Sequence, residues 1–221
     1  MKNGNPSPRL VQLDDVHWSV GPSWLDSGMT TPANVDAVIL AAGQSSRMGE
    51  PKSLLEVGTE TFLERTIRML KFAGCRYIVA VVAVEDEWTQ RLADATGAAI
   101  VVNDNPDSQQ IDSLRLGIRA LPADWDAVAV LPVDIPLIAD STAKTIIDTV
   151  RAELPALTLP FHNGVAGHPV VLGRQLEQDV LEKEWEEGLR SLIMSHGRNL
   201  REVKVVDPAI LIDIDSKEDY W

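Results

Sequence analysis

Cysteine is almost absent, with Cys75 the only one in 221 residues. A lone thiol forms no internal disulfide and no cysteine-based zinc site. Histidine is scarce too: His17, His162, His168 and His196 lie far apart and lack the spacing of metal ligands. Basic side chains are outnumbered, 20 against 33 acidic ones, for a formal net charge of −13. A surface this acidic repels nucleic-acid backbones and anionic membranes, which argues against nucleic-acid binding. No apolar run reaches the ~18 residues of a membrane span. The opening MKNGNPSPRLVQLDD carries no apolar stretch of the kind a secretory signal needs. The expectation is a cytoplasmic protein with neither a nucleic-acid nor a membrane partner. Hydrophobic residues still make up 45% of the chain, enough to bury one substantial core without staples.

Residues 1–34 differ from the rest. Pro6, Pro8, Pro22 and Pro32 break them up, and Trp18 and Trp24 are their only bulky anchors. They read as an irregular extension, docked through the tryptophans or disordered. From residue 35 a regular alternation begins. VDAVILA (35–41), RYIVAVVAV (76–84), AAIVVN (98–103) and AVAVLPV (127–133) are apolar runs that read as buried strands. Between them, helices are marked by Leu63, Ile67 and Leu70 behind a Thr61/Glu64 capping box, by residues 86–96, and by Ile111, Leu114, Ile118 and Leu121. Ala143, Ile146, Ile147 and Val150 mark a further helix, capped by Asp140 or Ser141. Strand and helix in alternation imply right-handed βαβ units and an α/β fold with a mostly parallel sheet. In the last third, Asn163-Gly164 lies between two apolar segments and predicts a hairpin within 157–173. Two short helices follow, then REVKVVD and ILIDID as late strands, while EKEWEE (182–187) reads as a solvated helix face. Cys75 is expected to pack beside the second strand.

Ligands of such sheets gather at the carboxyl ends of the strands. This directs attention to the loops 42–53, 103–113, 132–138, 162–169 and 213–219. The first, LAAGQSSRMGEPK (40–52), combines small residues with two cations, Arg47 and Lys52. Backbone N–H groups after Gly43 can form an anion-binding nest, Arg can grip a phosphate through its fork, and Lys adds a mobile point charge. The residues alone leave a phosphate site and a solvated turn both open. A P-loop is excluded, since Met48 follows where its second glycine belongs, and a dinucleotide fingerprint is excluded by Ser45.

The same loop resembles the signature LAAG-x-S-x-R-M-G-x-x-K of nucleotidyltransferases, and most closely that of the MobA-like branch, which contains the molybdenum cofactor cytidylyltransferases and the molybdopterin guanylyltransferases. Leu40, Ala41, Ala42, Gly43, Ser45, Arg47, Met48, Gly49 and Lys52 meet the pattern in order. QIDSLRLGI (110–118), LPVDIPLI (131–138), AGHPVVLG (166–173) and DIDSKEDY (213–220) are similar to four further family segments. The resemblance spans roughly 35–221. It implies a three-layer Rossmann-like nucleotidyltransferase fold with a small hairpin insertion in the C-terminal third. It implies transfer of a nucleoside monophosphate from an NTP to a phosphorylated acceptor of the molybdopterin type, with release of pyrophosphate. Carried over position by position, Leu40, Ala41, Ala42, Gly43, Ser45, Gln110 and Ser113 contact the nucleotide. Arg47 and Lys52 stabilise the triphosphate, Asp134 and Asp215 hold Mg²⁺, and His168 touches the acceptor. Ala42 favours CTP, because Gly is usual there in guanylyl transfer. A molybdoenzyme or chaperone partner has no readable sequence signature.

Elementary chemistry supports the same site. Transfer at the α-phosphate brings two anions together, so positive charge must be supplied, and a hard cation with oxygen ligands is the usual device. Asp134 follows a buried strand and precedes Pro136, which holds its carboxylate at the correct edge of the sheet; a plain turn residue is the lesser alternative. Asp213 and Asp215 alternate and are expected on one face of a strand. Asp215 is preferred as the ligand, against a role as helix cap with Glu218. For His168, at the hairpin tip, packing competes with acceptor contact. A general-base role is disfavoured, because an acceptor phosphate is already anionic. Three departures stand out: Val133 and Gln109 replace frequent glycines, and Lys217 replaces a proline. The first two motivate one alternative, a noncatalytic nucleotide-binding regulator; a nucleotidyltransferase acting on a sugar phosphate or another phosphorylated metabolite is a second.

Overall fold

A computed structural model describes residues 32–43, 51–84, 86–216 and 219. Trp18, Trp24 and most of the expected extension lie outside the described residues. In chain order the elements are β1 (Val35–Ala41), a short ribbon of β2 (Glu56–Val57) and β3 (Glu60–Thr61), α1 (Phe62–Ala73), β4 (Ile78–Ala83), α2 (Glu87–Thr96) and β5 (Ala99–Asn103). Then come α3 (Gln110–Ala120), β6 (Ala127–Pro132), α4 (Asp140–Glu153), β7 (Leu157–His162), β8 (Val165–Ala166), β9 (Val170–Gly173), α5 (Glu177–Glu182), α6 (Leu189–Ser195) and β10 (Leu200–Lys204).

The main sheet runs β10-β7-β9-β6-β1-β4-β5, with β8 paired to β7. β9 is antiparallel to both β6 and β7, while β1, β4, β5 and β6 pair in parallel. All seven residues of β1 are buried, as a strand covered on both faces requires. Alternate residues enter two separate cores. Ala37 and Ile39 join Phe62, Leu63, Ile67 and Ile146 under α1 and α4. Val38 and Leu40 join Leu114, Ile118 and Leu192 under α3 and α6. These are the three layers expected from the sequence. Among the described residues no helix is long and apolar enough to cross a membrane.

Local chemistry explains the element ends. Thr61 caps α1, taking the Glu64 N–H at 3.2 Å, while the Glu64 carboxylate takes the Thr61 N–H at 2.8 Å. The hairpin turns at Asn163 (φ 50°) and Gly164 (φ 82°), with His162 opposite Val165. Positive φ at both central positions is the type I′ turn that suits twisted strands. Cys75 is buried beside β4 as expected, and that burial pushes its thiol up to about 12.

Four local expectations are corrected. ILIDID is no strand: Pro208–Leu211 forms a 3-10 turn and residues 212–216 are irregular. α4 is preceded by Ala139 with no side-chain cap, because the Asp140 carboxylate goes to Arg68 instead. EKEWEE leaves the helix after Glu182. Trp185 turns inward, its indole N–H donating to the Asp179 carbonyl at 3.0 Å. Finally, His168 lies beyond the hairpin tip, in the connection from β8 to β9.

Candidate functional site

β1 leads through α1 to β4 on one side, whereas β6 lies on β1's other flank. The loops leaving β1 and β6 therefore diverge, and a crevice opens at the carboxyl ends of the strands. The cavity found there measures about 710 Å³. Its walls include Leu40, Ala41, Ala42 and Gly43 at the end of β1, Pro132, Val133 and Asp134 after β6, and Gln110 and Ser113 on the first turn of α3. Every described residue expected to contact nucleotide lines this one space. Ser45 and Arg47 lie outside the described residues.

Two wall residues, Lys52 and Asp134, meet Asp215, which is not itself part of the cavity lining. The Lys52 ammonium donates to Asp134 Oδ2 at 2.9 Å and also to Asp215 Oδ1. Lys52 is delivered by a 3-10 turn, Lys52–Leu54, that follows the phosphate-type loop. Asp134 is held by its backbone, whose carbonyl accepts the Ile214 N–H at 2.8 Å. Burial opposes the charge on Lys52, but hydrogen bonds and attraction from Asp215 and Asp134 outweigh it and raise its pKa. Lys52 is the only basic side chain among the described residues lining the cavity.

The helix-cap alternative for Asp215 involves Glu218, which lies outside the described residues. The Asp219 carboxylate accepts the Ser216 N–H at 2.9 Å, its hydroxyl at 2.8 Å and the Asp215 N–H at 3.2 Å. Asp213 is exposed, and with the strand gone its alternation with Asp215 no longer places the two on one face. His168 is not on the cavity wall. Its half-buried ring lies where Asp134 and Asp213 are the charges that reach it, and its Nδ1 is buried without a partner. Burial holds its pKa below the usual histidine value, against the pull of those carboxylates, so the ring is neutral near pH 7.

The loop after β5 contains residues that sequence reasoning passed over. Asn103 ends that strand buried, and its amide donates to Ser108 at 2.8 Å and to Ser113 at 2.9 Å. Its carbonyl oxygen accepts the Asn105 N–H at 3.1 Å, and Asn105 repeats the pattern on Asp107 at 3.0 Å. These are two successive Asx turns, and the N-D-N-P-D spelling was their signal. They shape the wall formed by Asp104, Asn105 and Ser108. The Ser113 hydroxyl is thereby committed to Asn103. Across the cavity, Asp86 caps α2 by accepting the Thr89 N–H at 3.0 Å, and Thr89 bonds Ser53, tying the turn that carries Lys52 to that helix.

The chain is also similar to known proteins. The MobA-like NTP transferase domain matches residues 37–200. The chain belongs to this MobA-like family, and it is a nucleotidyltransferase. The molybdenum cofactor cytidylyltransferase of Escherichia coli (strain K12) is 25% identical over 193 residues, covering 84% of this chain and 93% of that one. The 2-C-methyl-D-erythritol 4-phosphate cytidylyltransferase of Streptomyces coelicolor is 33% identical over 135 residues, 58% of this chain and 50% of its own length. Among solved structures, Rv0371c from Mycobacterium tuberculosis H37Rv superposes with a TM-score of 0.74 at 25% identity, covering 85% of this chain and 96% of that one.

Proposed function

We propose that this protein transfers a nucleoside monophosphate, CMP by preference, from an NTP to a phosphorylated acceptor of the molybdopterin type, with Mg²⁺ as cofactor. The observation that carries the reading is the meeting of Asp215 with Lys52 and Asp134, two residues in the wall of a cavity of about 710 Å³. An acceptor phosphate oxygen bonds the α-phosphorus in line, the bond from that phosphorus to the β-phosphate oxygen breaks, and pyrophosphate leaves with the electron pair. Lys52 and Arg47 hold the polyphosphate and take up the developing charge. Leu40, Ala41, Ala42, Gly43 and Ser45 cradle it, and Gln110 with the Asn103-braced loop flanks the nucleoside. His168 stands off the cavity wall, its ring held by the Val130 backbone, so it is not assigned an acceptor contact. The acceptor is already an anion, so positioning and charge stabilisation account for catalysis.

The donor set fits the metal. Asp134 and Asp215 aim hard oxygen atoms at one shared cation, the Lys52 ammonium, and Mg²⁺ favours one or two carboxylates completed by phosphate and water. Among the described residues no third metal-type ligand joins them, which suits a site finished by substrate. When bound, the ion neutralises phosphate charge and orients the leaving group. We assign residues 35–221 to the transferase domain and 1–34 to an extension outside it.

Ala42 and two cytidylyltransferase relatives favour CTP. A second acceptor, a phosphorylated polyol, is favoured by the higher identity to the methylerythritol phosphate enzyme. The test is pyrophosphate release from each of four NTPs with Mg²⁺, against molybdopterin and against methylerythritol phosphate. Release with CTP and molybdopterin is expected. Release with the polyol alone selects the second acceptor. Nucleotide binding with no release from any pair overturns both and leaves a regulator.

A further inference from the structure

Within the Lys52 cluster, Asp134 stands in the turn two residues past the end of β6, whereas Asp215 comes from a longer stretch, residues 212–216, without helix or strand. Its position depends on how the backbone from Val205 onward is laid across the end of the sheet. Four attachments fix that strap. The Val205 N–H donates to the Phe161 carbonyl at 2.9 Å. Asp207 accepts from Ala209 at 3.0 Å and from Ala139 at 2.9 Å, tying the strap to the start of α4. The Ile210 carbonyl accepts the His168 N–H at 2.9 Å, and the Ile214 N–H reaches the Asp134 carbonyl at 2.8 Å.

The Ile210 attachment leaves no slack. A Cβ at Gly167 would lie 2.3 Å from the Ile210 carbonyl oxygen and 2.8 Å from its carbon, closer than atoms approach. The obstacle is backbone, which cannot swing aside as a side chain can. Nor can either partner withdraw. The Gly167 N–H is bonded to Pro160 on β7 at 2.9 Å, and Ile210 is fully buried in the core beneath α1 and α4. Glycine here serves close approach between two chain segments.

We infer that Gly167 is a positioning residue for Asp215: its backbone contact with Ile210, assisted by the Asp207 anchor, sets the register of the 205–216 strap and so delivers the second carboxylate to Lys52 and Asp134. The inference rests on the reading of Asp215 as a metal ligand given above. It explains why a glycine in the β8–β9 connection, which does not line the cavity, matters to the site.

The experiment is a Mn²⁺ titration of the nucleotide-free full chain, with free Mn²⁺ read by electron paramagnetic resonance and thermal melting followed alongside. Wild type, D215N, G167A and the double variant form one cycle, and D207A with D215N forms a second. D215N and G167A should each weaken Mn²⁺ binding about tenfold, the scale of loss when a ligand's support is removed. The double variant should be no weaker than D215N, because Asp215 is the route by which Gly167 acts. D207A should show a smaller loss that likewise vanishes in D215N, and it decides the matter if G167A does not fold. Wild-type affinity in G167A, or a loss that persists in D215N, overturns the positioning role and leaves the metal reading intact. Wild-type affinity in D215N removes Asp215 from the metal site and takes the inference with it.

Discussion

At the amino end of β1, Arg76 lies between the carboxylates of Asp36 and Asp124; at the carboxyl end, Lys52 lies between those of Asp134 and Asp215. The charge arithmetic is the same and the chemistry is not. Arg76 reaches Asp36 at 3.2 and 3.1 Å and Asp124 at 2.8 and 2.9 Å, using its planar fork on both. Asp36 is fully buried and also accepts the Tyr77 N–H at 3.1 Å. Such a knot fixes where β1 and β4 begin. Lys52 is instead a point charge on a flexible stem, beside a cavity, with carboxylates that suit a metal. A cation that can change partners marks the working end, and a forked one marks the structural end.

The comparison breaks first at Asp134. Asp134→Asn should slow turnover about 10²–10³-fold, the scale for removing one charge-organising group, with melting little changed. Pyrophosphate release checks it, and unchanged Mg²⁺-dependent turnover would falsify the metal assignment. Arg76→Met should do the reverse. Leaving the buried Asp36 carboxylate without its partner costs about 3 kcal/mol, the low end of the range because Tyr77 still donates to it. Urea unfolding reads that loss, and kcat should hold. A variant that keeps its stability but loses turnover would erase the distinction between the two ends.

Lys52→Met sharpens the contrast further. Turnover should drop about 10²-fold, yet nucleotide-free Mn²⁺ binding should tighten about tenfold, since a competing cation leaves two carboxylates. Weaker Mn²⁺ binding in this variant would mean that Lys52 helps build the site instead of standing in for the ion.

The contrast between regular and irregular chain also governs what was legible in the sequence. β1, β4 and β6 are buried on both faces, so continuous apolar runs announced them; β5, at the sheet edge, is only partly buried but carries the same apolar spelling, and the Thr61/Glu64 pair announced the start of α1. LAAG and VDIP stand at the ends of those strands, and so Lys52 and Asp134 could be placed together in advance. The strap could not be read the same way. Ile210, Ile212 and Ile214 alternate with other residues as in a strand, but Pro208 opens a 3-10 turn and the later backbone groups go to His168 and Asp134. Partners more than 40 residues distant decide its path, and no local period encodes them. His168 was misplaced for a related reason: the Asn163-Gly164 turn fixed the hairpin tip, but not how soon β8 would end.

The smallest effect should come from Asp124→Asn. Asp124 is the exposed arm of the structural knot, and Arg76 holds its carboxyl below the usual carboxylate range, through hydrogen bonds first and attraction second. A depressed carboxylate lends stability that is present above its unfolded value of about 4 and is lost as pH falls through the lower folded value. The wild type should therefore be slightly more stable than the variant at neutral pH, and the two should converge in acid. Salt should shrink the neutral-pH gap as well, because the pair is open to solvent. Urea unfolding at neutral pH and at successively lower pH measures this. A gap that stays constant into the acid range would show that Asp124 acts through packing or through its side-chain contact with the Asn34 amide at 3.4 Å, and not through its charge on Arg76.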